Sequence, residues 1–523
     1  MSRISRLFRS TSTRPQSAHK ARFGIVALEG RDVPSTLFSN GVLSVAGTTG
    51  NDSIEIFSAQ ANQTRVVVNG HVDFDGAVAI SQIKINGREG LDNVNVHGIQ
   101  AGVTDGVHVI NVETVNVADQ DPLTGQKSTA SIRSNLSVEN ANFLLVNNSA
   151  ATANAHLEIS DTQVTGIAPA TISYTFNDPN ATLILQTGAG SDTLNVNNTP
   201  VGTTILNGKG GVDNFNVVGT TGAVQINGGT GADNIHIVPT TSTLADIGGQ
   251  ITVSDGLFQD KVDINDIRAG SQASSLSAYS ATLSADRLVR TDTEVFQSGP
   301  FHFFRDDSDT IVYQGVASVR FVASFTETPS STVSVLSTNA GTKTTIVPEE
   351  TQFVTFGNLS HRLDSIDGPV TVQDGRAHTQ LVFDDVGTLF GQRYTLGADT
   401  VQRNGMATVT LDHFPGQLEV NAGRRADVFN VTAPRTGDFF RTLDGNGGSD
   451  ILIAPHGDND WKILGQNLGL LNLSTTFIDV DSLDGSAGAD TFNFANGVGV
   501  SGKIDGAGGF DTLNYSDYTT GVN

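Results

Sequence analysis

The sequence predicts an all-β fold, a right-handed parallel β-solenoid (β-roll or β-helix-like) built of coils of about 20 residues. Three observations carry that expectation. The 523-residue chain holds 57 glycines and is rich in Asn, Thr, Ser and Val, with one Trp and two Met, a composition of short strands and polar turns. An aspartate recurs in ten similar contexts: Asp52, Asp92, Asp192, Asp213, Asp233, Asp260, Asp427, Asp450, Asp490 and Asp511. The closest of these are 20, 21 or 23 residues apart, and two gaps of 40 read as two units each.

The strands are read from the columns around the aspartate. Two residues after it stands an apolar residue in every copy (Ile54, Val94, Leu194, Phe215, Ile235, Val262, Phe429, Leu452, Phe492, Leu513). Seven residues before it stands another (Val45, Ile85, Leu185, Leu206, Ile226, Val253, Val420, Leu443, Leu483, Ile504). Position four after the aspartate is again apolar or aromatic, as in Val196, Val217, Ile237, Phe494 and Tyr515, while position three is often Asn, as in Asn195, Asn216 and Asn514. Alternation with period two is the mark of a half-buried strand. Each unit therefore reads strand, glycine-rich corner, strand. One such unit has no means of burying its apolar face alone, so successive coils are expected to stack. If all of residues 35–523 coiled this way, roughly 23 coils at about 4.8 Å each would reach on the order of 110 Å, an upper bound.

In chain order, residues 1–34 form a basic, disordered arm: Arg3, Arg6, Arg9, Arg14, Lys20 and Arg22 occur before any acid. Arginines interrupt the apolar run that a secretory signal needs, and no stretch approaches the roughly 20 apolar residues that span a bilayer. Residues 35–265 form the first solenoid segment, with residues 98–180 lacking clear corners. Across 266–420 the corners fade into degenerate β repeats. There "YSATLSADRLVR" (279–290) is echoed by "YTLGADTVQR" (394–403), and "VDINDI" (262–267) by "LVFDDV" (381–386), as if a module of about 115 residues were duplicated. Solenoid coils with lost corners and an inserted β-sandwich both fit this part. Residues 421–523 form the C-terminal solenoid, and the ending "DTLNYSDYTTGVN", one strand past its last corner, reads as a fragment or an incomplete product.

Charge and chemistry narrow the function. Fifty-four acidic against thirty basic residues give a net charge of −24, which disfavours nucleic acid and anionic membranes and favours cations. With no cysteine, disulfides, thiolate catalysis and Cys-ligated zinc are excluded. Neither HExxH nor GxSxG occurs, and "GTTILNGK" (202–209) lacks the spacing and the Ser/Thr of a phosphate loop. The corners themselves are the chemical signal: "TGAGSD" (187–192), "GKGGVD" (208–213), "GGTGAD" (228–233), "GNGGSD" (445–450), "GSAGAD" (485–490) and "GAGGFD" (506–511). Glycine reaches positive φ without a Cβ clash, so such a corner can turn carbonyl oxygens inward. Ca²⁺ takes six to eight oxygens, and carbonyls plus a carboxylate supply that type of donor.

"GGTGADNIH" (228–236) matches every fixed position of G-G-x-G-x-D-x-U-x, and so resembles the glycine-rich nonapeptide repeats of hemolysin-type (RTX) calcium-binding proteins. The resemblance implies a secreted β-roll loaded with Ca²⁺. Its ligand positions fall on Gly228, Gly229, Gly231 and Asp233, on Gly208, Gly211 and Asp213, and on Gly188, Gly190 and Asp192. In the C-terminal part they fall on Gly445, Gly448 and Asp450, on Gly485, Gly488 and Asp490, and on Gly506, Gly509 and Asp511. Family repeats follow one another every nine residues, whereas these recur about every 20, so only one side of each coil carries a good corner. Ions are then expected between successive corners within 187–233 and within 485–511, while "AGRRAD" (422–427) and "DGLFQD" (255–260) look too degraded to bind. A second stretch, "VALEGRDVPS" (26–35), resembles a Leu-Glu-x-Arg-x-x-Pro signature near the start of large exported bacterial proteins.

The expectation is a non-enzymatic, extracellular or surface scaffold that binds calcium and contacts cell-surface or matrix polymers. Two alternatives stand beside it. In one, the aspartates only bond turn amides and the solenoid is metal-free. In the other, a polysaccharide-cleaving β-helix uses Asp306, Asp307 and Asp309 with Arg305, or Asp458 and Asp460.

Overall fold

The computed structural model describes residues 32–60, 63–118, 120, 124–238, 243–254, 259–268, 276–298, 301–325, 331–349, 351, 353–373, 379–435, 440–519 and 521. The basic arm lies almost wholly outside these residues, as does the "VALEGR" part of the second signature. The chain is all-β, with 51% of residues in strands and 1% in helix. Among the described residues the strands form two long sheets of 22 and 23 members, dominated by parallel pairing, an arrangement consistent with a β-solenoid.

The repeat segment 182–237 shows how the sequence builds this. Thr182–Gln186, Thr203–Asn207 and Ala223–Asn227 stack in parallel in the second sheet, while Thr193–Val196, Asn214–Val217 and Asn234–Ile237 stack in the first. The chain thus steps from sheet to sheet at each corner. Equivalent residues meet in register, Leu194 on Phe215 on Ile235 and Leu185 on Leu206 on Ile226. The apolar columns read from sequence are the interior: of the residues two past the aspartate, all are at most 1% exposed except Leu513 in the last coil, at 54%. Strands buried on one face and spaced about 4.8 Å apart give each coil a neighbour above and below for its apolar residues.

Five three-strand meanders interrupt the parallel stacking among the described residues. They comprise Ser53–Gln60, Gln63–Val68 and His71–Gly76; His156–Ile159, Gln163–Thr165 and Ile172–Thr175; Leu276–Leu283, Arg287–Ser298 and Phe301–Gln314; Arg393–Leu396, Thr400–Arg403 and Val409–Asp412; and Asp460–Gly465, Leu468–Leu471 and Thr475–Ile478. In each, the first strand pairs in parallel with the following coil and the chain then folds back. In the last four, the final strand pairs with the preceding coil. Each meander inserts two extra strands, about 10 Å, into its own sheet. Successive meanders fall alternately in the second and the first sheet, so the two sheets stay level.

The meanders change the meaning of the 40-residue gaps. Ser53–Gln60 pairs directly with Asn93–Ile99, so Asp52 and Asp92 lie on adjacent coils and the extra residues between them are a meander, not a second unit. Asp450 precedes a first-sheet strand, Ile451–Ile453, whereas Asp490 precedes a second-sheet strand, Thr491–Phe494. The corners therefore change side along the chain: Asp192, Asp213, Asp233, Asp427 and Asp450 lead into the first sheet, and Asp52, Asp92, Asp490 and Asp511 lead into the second.

The same two sheets continue through residues 266–420: Lys261–Arg268, Ser318–Phe325, Lys343–Val347 and Val370–Gln373 pair successively in parallel. The echoed peptides there are equivalent parts of two meanders. Each sets a tyrosine and an arginine against one buried aspartate. Tyr394 Oη and Arg403 Nε donate to Oδ2 of Asp385 at 2.8 and 2.9 Å, while Oδ1 of Asp385 accepts from the Leu363 amide. In the other copy Arg290 Nε is 3.2 Å from Asp266, Tyr279 lies against the same carboxyl, and the Leu244 amide donates to it. Arg290 also pairs with Asp292 and Asp309.

Candidate glycine-aspartate corners

Each corner is shaped by two glycines that act for different reasons. At position four the backbone enters a region that suits glycine alone, with φ of 113° at Gly211 and 149° at Gly231. A Cβ there would also collide with the carbonyl of the coil before, Gly190 for Gly211 and Gly211 for Gly231. At position one, a Cβ on Gly208, Gly228, Gly445, Gly485 or Gly506 would collide with Oδ2 of the aspartate five residues later. The aspartate side chain is therefore folded back inside its own corner. Position two carries the remaining strain, since Lys209, Asn446, Ser486 and Ala507 have positive φ without being glycine.

The aspartates form a ladder. The amide of Asp192 donates to Oδ1 of Asp213, that of Asp213 to Oδ1 of Asp233, and that of Asp233 to Oδ1 of Asp260, at 2.7, 2.7 and 2.9 Å. The Ala155 amide donates to Asp192 at the start of this column. Equivalent bonds join Asp52 to Asp92, Asp427 to Asp450 and Asp490 to Asp511. Asp260 and Asp427, in the corners that look degraded, hold the ladder as the others do. Where the next corner lacks the aspartate, another acid takes over: Glu113 accepts from Asp92, and Asp481 from Asp450.

The second carboxylate oxygen is the unusual feature. Asp192, Asp213, Asp450 and Asp490 are 0% exposed and Asp92 is 2% exposed. Among the described residues their Oδ2 atoms have no hydrogen-bond partner. Beside the Cα of Gly208 lie both Oδ2 of Asp213 and the carbonyl of Gly228 from the next coil, and Gly445 has the same pair in Asp450 Oδ2 and the Asp479 carbonyl. Burial raises Asp213 and Asp450 to about 7, and neighbouring carboxylates add to the shift. Burial likewise raises Asp427 to about 6 and moves Asp92 and Asp490 upward. Asp52 differs, because Thr48 donates both its amide, at 2.6 Å, and its hydroxyl, at 2.9 Å, to Oδ2.

This donor set, buried carboxylate oxygens with backbone carbonyls, suits a hard cation or a proton. Among the described residues no group of three or more His, Asp or Glu side chains is placed to hold a metal ion, so a cation at a corner would draw mostly on backbone oxygen. The glycines need no ion to explain them. The orphaned oxygens do need a counterpart.

The corners and the recurrent asparagines three residues past the aspartate were both visible in the sequence, but not that those asparagines bond to one another. Asn216 Nδ2 donates to Asn195 Oδ1 at 2.8 Å and Asn514 to Asn493 at 2.7 Å, so the asparagines three residues past the aspartate form their own ladder on the outer face. Their recurrence was the available signal. Of the acids considered for catalysis, Asp309 is bound to Arg290, Asp458 accepts from the Ala489 amide, and Asp460 accepts from Asn493. The side chains of Arg305, Asp306 and Asp307 lie outside the described residues. No helix among the described residues is long and apolar enough to cross a membrane. No protein-family model matches the chain, and no curated protein matches it significantly.

Proposed function

We propose that the chain is a calcium-binding structural repeat protein, a right-handed parallel β-solenoid that serves as an exported or surface-attached scaffold. The observation that carries this reading is the set of buried carboxylates Asp92, Asp192, Asp213, Asp450 and Asp490, whose Oδ1 atoms accept from the preceding coil while their Oδ2 atoms meet no donor among the described residues. Leaving a buried charged oxygen without a partner costs more than most single interactions contribute. Calcium bridging Asp192, Asp213 and Asp233, with backbone oxygens from the glycines around them, would remove that cost and offset part of the −24 net charge. Asp450 and Asp490 offer the same kind of oxygen at corners that lead into different sheets, so each would hold its own ion, the one at Asp490 beside the corner of Asp511. Because each ion would touch two coils, binding would stiffen the stack, as suits a load-carrying role between cell-surface or matrix polymers. The Leu-Glu-x-Arg-x-x-Pro resemblance supports export.

Thermal melting by circular dichroism in millimolar CaCl₂, in EGTA and in MgCl₂ tests the reading. Calcium should raise the melting temperature and magnesium should do so less, because Mg²⁺ demands a tighter octahedron. Equal melting in all three conditions would sink it.

A second reading has its own observation: the Oδ1-to-amide ladder and the glycine contacts account for the motif without metal. In that case the raised carboxyls are neutralised by protons, and stability follows pH while ignoring calcium.

A further inference from the structure

Three consecutive corners on one edge of the stack depart from the acidic character of the chain. The second-sheet strands Phe353–Phe356, Gln380–Asp384, Gln417–Asn421 and Arg441–Asp444 pair successively in parallel, so the corners that follow them lie one above another on the same edge. Their backbones meet closely: Gly387 lies against the Ser360 carbonyl, Gly423 against Thr388, and Gly448 against the Arg425 carbonyl. The first two corners are "GNLSHR" (357–362) and "DVGTLFGQ" (385–392), and the third is "AGRRAD" (422–427).

What these corners expose is apolar and cationic. Leu359 is 88% exposed, Leu389 60% and Phe390 76%. Arg424 and Arg425, on the next coil, are exposed and make no ion pair among the described residues. Arg362 donates from Nε to the Gly387 carbonyl at 2.8 Å, which holds a third guanidinium on this edge. Within the three corners the only acids are Asp385 and Asp427, both 0% exposed, although the chain as a whole carries a charge of −24. An open cavity of about 700 Å³ is walled by Thr388, Leu389, Arg424, Arg425 and Asn446. Large apolar side chains gathered in water mark a contact surface.

We propose that this edge docks on a bilayer surface of anionic phospholipid, with Leu359, Leu389 and Phe390 entering the boundary between headgroups and acyl chains and with Arg424 and Arg425 taking the phosphates. Charge and shape select this occupant. Unpaired guanidinium groups complement phosphodiester headgroups, and apolar tips beside arginine are the composition of an interfacial anchor. Side chains that project from a corner need a hollowed face on a folded protein partner, whereas a bilayer surface yields to them. Charges beyond a Debye length, about 8 Å at physiological ionic strength, are largely screened, so the local cationic excess outweighs the acids on distant coils. The contact is independent of calcium at the other corners.

Vesicle co-sedimentation of the full chain in EGTA tests it, with vesicles of phosphatidylcholine alone and of an equimolar mixture with phosphatidylglycerol. Binding is expected to the mixed vesicles only, and it should weaken as salt is raised. Arg424→Gln/Arg425→Gln should lower the partition coefficient about 25-fold, at roughly fivefold per arginine near the surface. Leu359→Ser/Phe390→Ser should lower it by about tenfold or more. All four residues are exposed, so the melting curves of both variants should match that of the parent. The basic arm of residues 1–34 is present in every variant, so binding that survives both pairs of changes belongs to the arm and overturns the assignment. Equal binding to phosphatidylcholine alone, or no binding to either vesicle, overturns it as well. Release by inorganic phosphate beyond that caused by sodium chloride at equal ionic strength would mark a free-phosphate site instead, and a dimer that the same variants abolish, without vesicle binding, would assign the edge to a second copy.

Discussion

The amide of Asp213 donates a 2.7 Å hydrogen bond to Oδ1 of Asp233, the equivalent aspartate of the next coil. The relationship makes each repeat aspartate both donor, through its backbone, and acceptor, through its side chain. A column of such bonds fixes the vertical register of the corners just as the strand pairing fixes that of the sheets.

Replacing one acceptor should break one rung. Asp213→Ala leaves the buried amide of Asp192 without its partner, and a loss of about 1–3 kcal/mol is expected. Urea denaturation gives the measurement, with Trp461, the single tryptophan, fully buried and stacked on Phe492, as the fluorescent reporter. A change within error would show that the rung contributes nothing.

Gly231→Ala should be more damaging than an average surface change. The residue sits at φ 149°, and its new Cβ would strike the Gly211 carbonyl, so the strain of a sparsely allowed conformation adds to a steric clash. A cost of about 1–3 kcal/mol or more is expected. Gly497→Ala, at φ 72° with open space around its Cβ, is the comparison, and it should cost less. Equal losses would contradict the stacked-corner geometry.

In EGTA, stability should fall as pH rises. Burial holds Asp213 and Asp450 at about 7 and Asp427 at about 6, above the usual carboxylate value of roughly 4 in the unfolded chain. Between pH ~4 and ~7 the folded state then binds more protons than the unfolded state, so unfolding free energy declines across that window and levels off above it. Calcium should restore the lost stability near pH 8, and Asp213→Asn should flatten the slope. A melting temperature that rises from pH 5 to pH 8 in EGTA would refute the sign.

The Arg403–Asp385 pair should behave as a buried unit. Arg403→Met leaves Asp385, at 0% exposure, without its cation, and a loss of about 3–5 kcal/mol is expected. The double variant Arg403→Met/Asp385→Leu should recover part of that loss, because no uncompensated charge remains. Additive losses in the double-mutant cycle would mean the two groups are uncoupled.

Much of this molecule was legible locally. The alternation around Leu194, Phe215 and Ile235 specified half-buried strands, and glycine at positions one and four specified a turn that admits no side chain. Both follow from short-range sterics and from the two-residue period of a strand, so neither depends on where the rest of the chain goes. The meanders were hidden for the same reason. A strand such as Arg393–Leu396 alternates as any coil strand does, and period two says nothing about whether its partner runs parallel from the next coil or antiparallel from its own hairpin. The echo of Tyr279 and Arg290 in Tyr394 and Arg403 was visible, but its cause, one aspartate from earlier in the chain buried between them, requires the burial that only the folded coils provide. Tertiary structure alone decided which sheet each corner leads into, buried Arg441 with only the carbonyls of Gly397 and Ala433 as its acceptors among the described residues, and turned Oδ2 of Asp213 toward the Gly208 backbone. Those outcomes depend on long-range pairing and burial, which set the electrostatic cost of each charged group and which a local pattern does not encode.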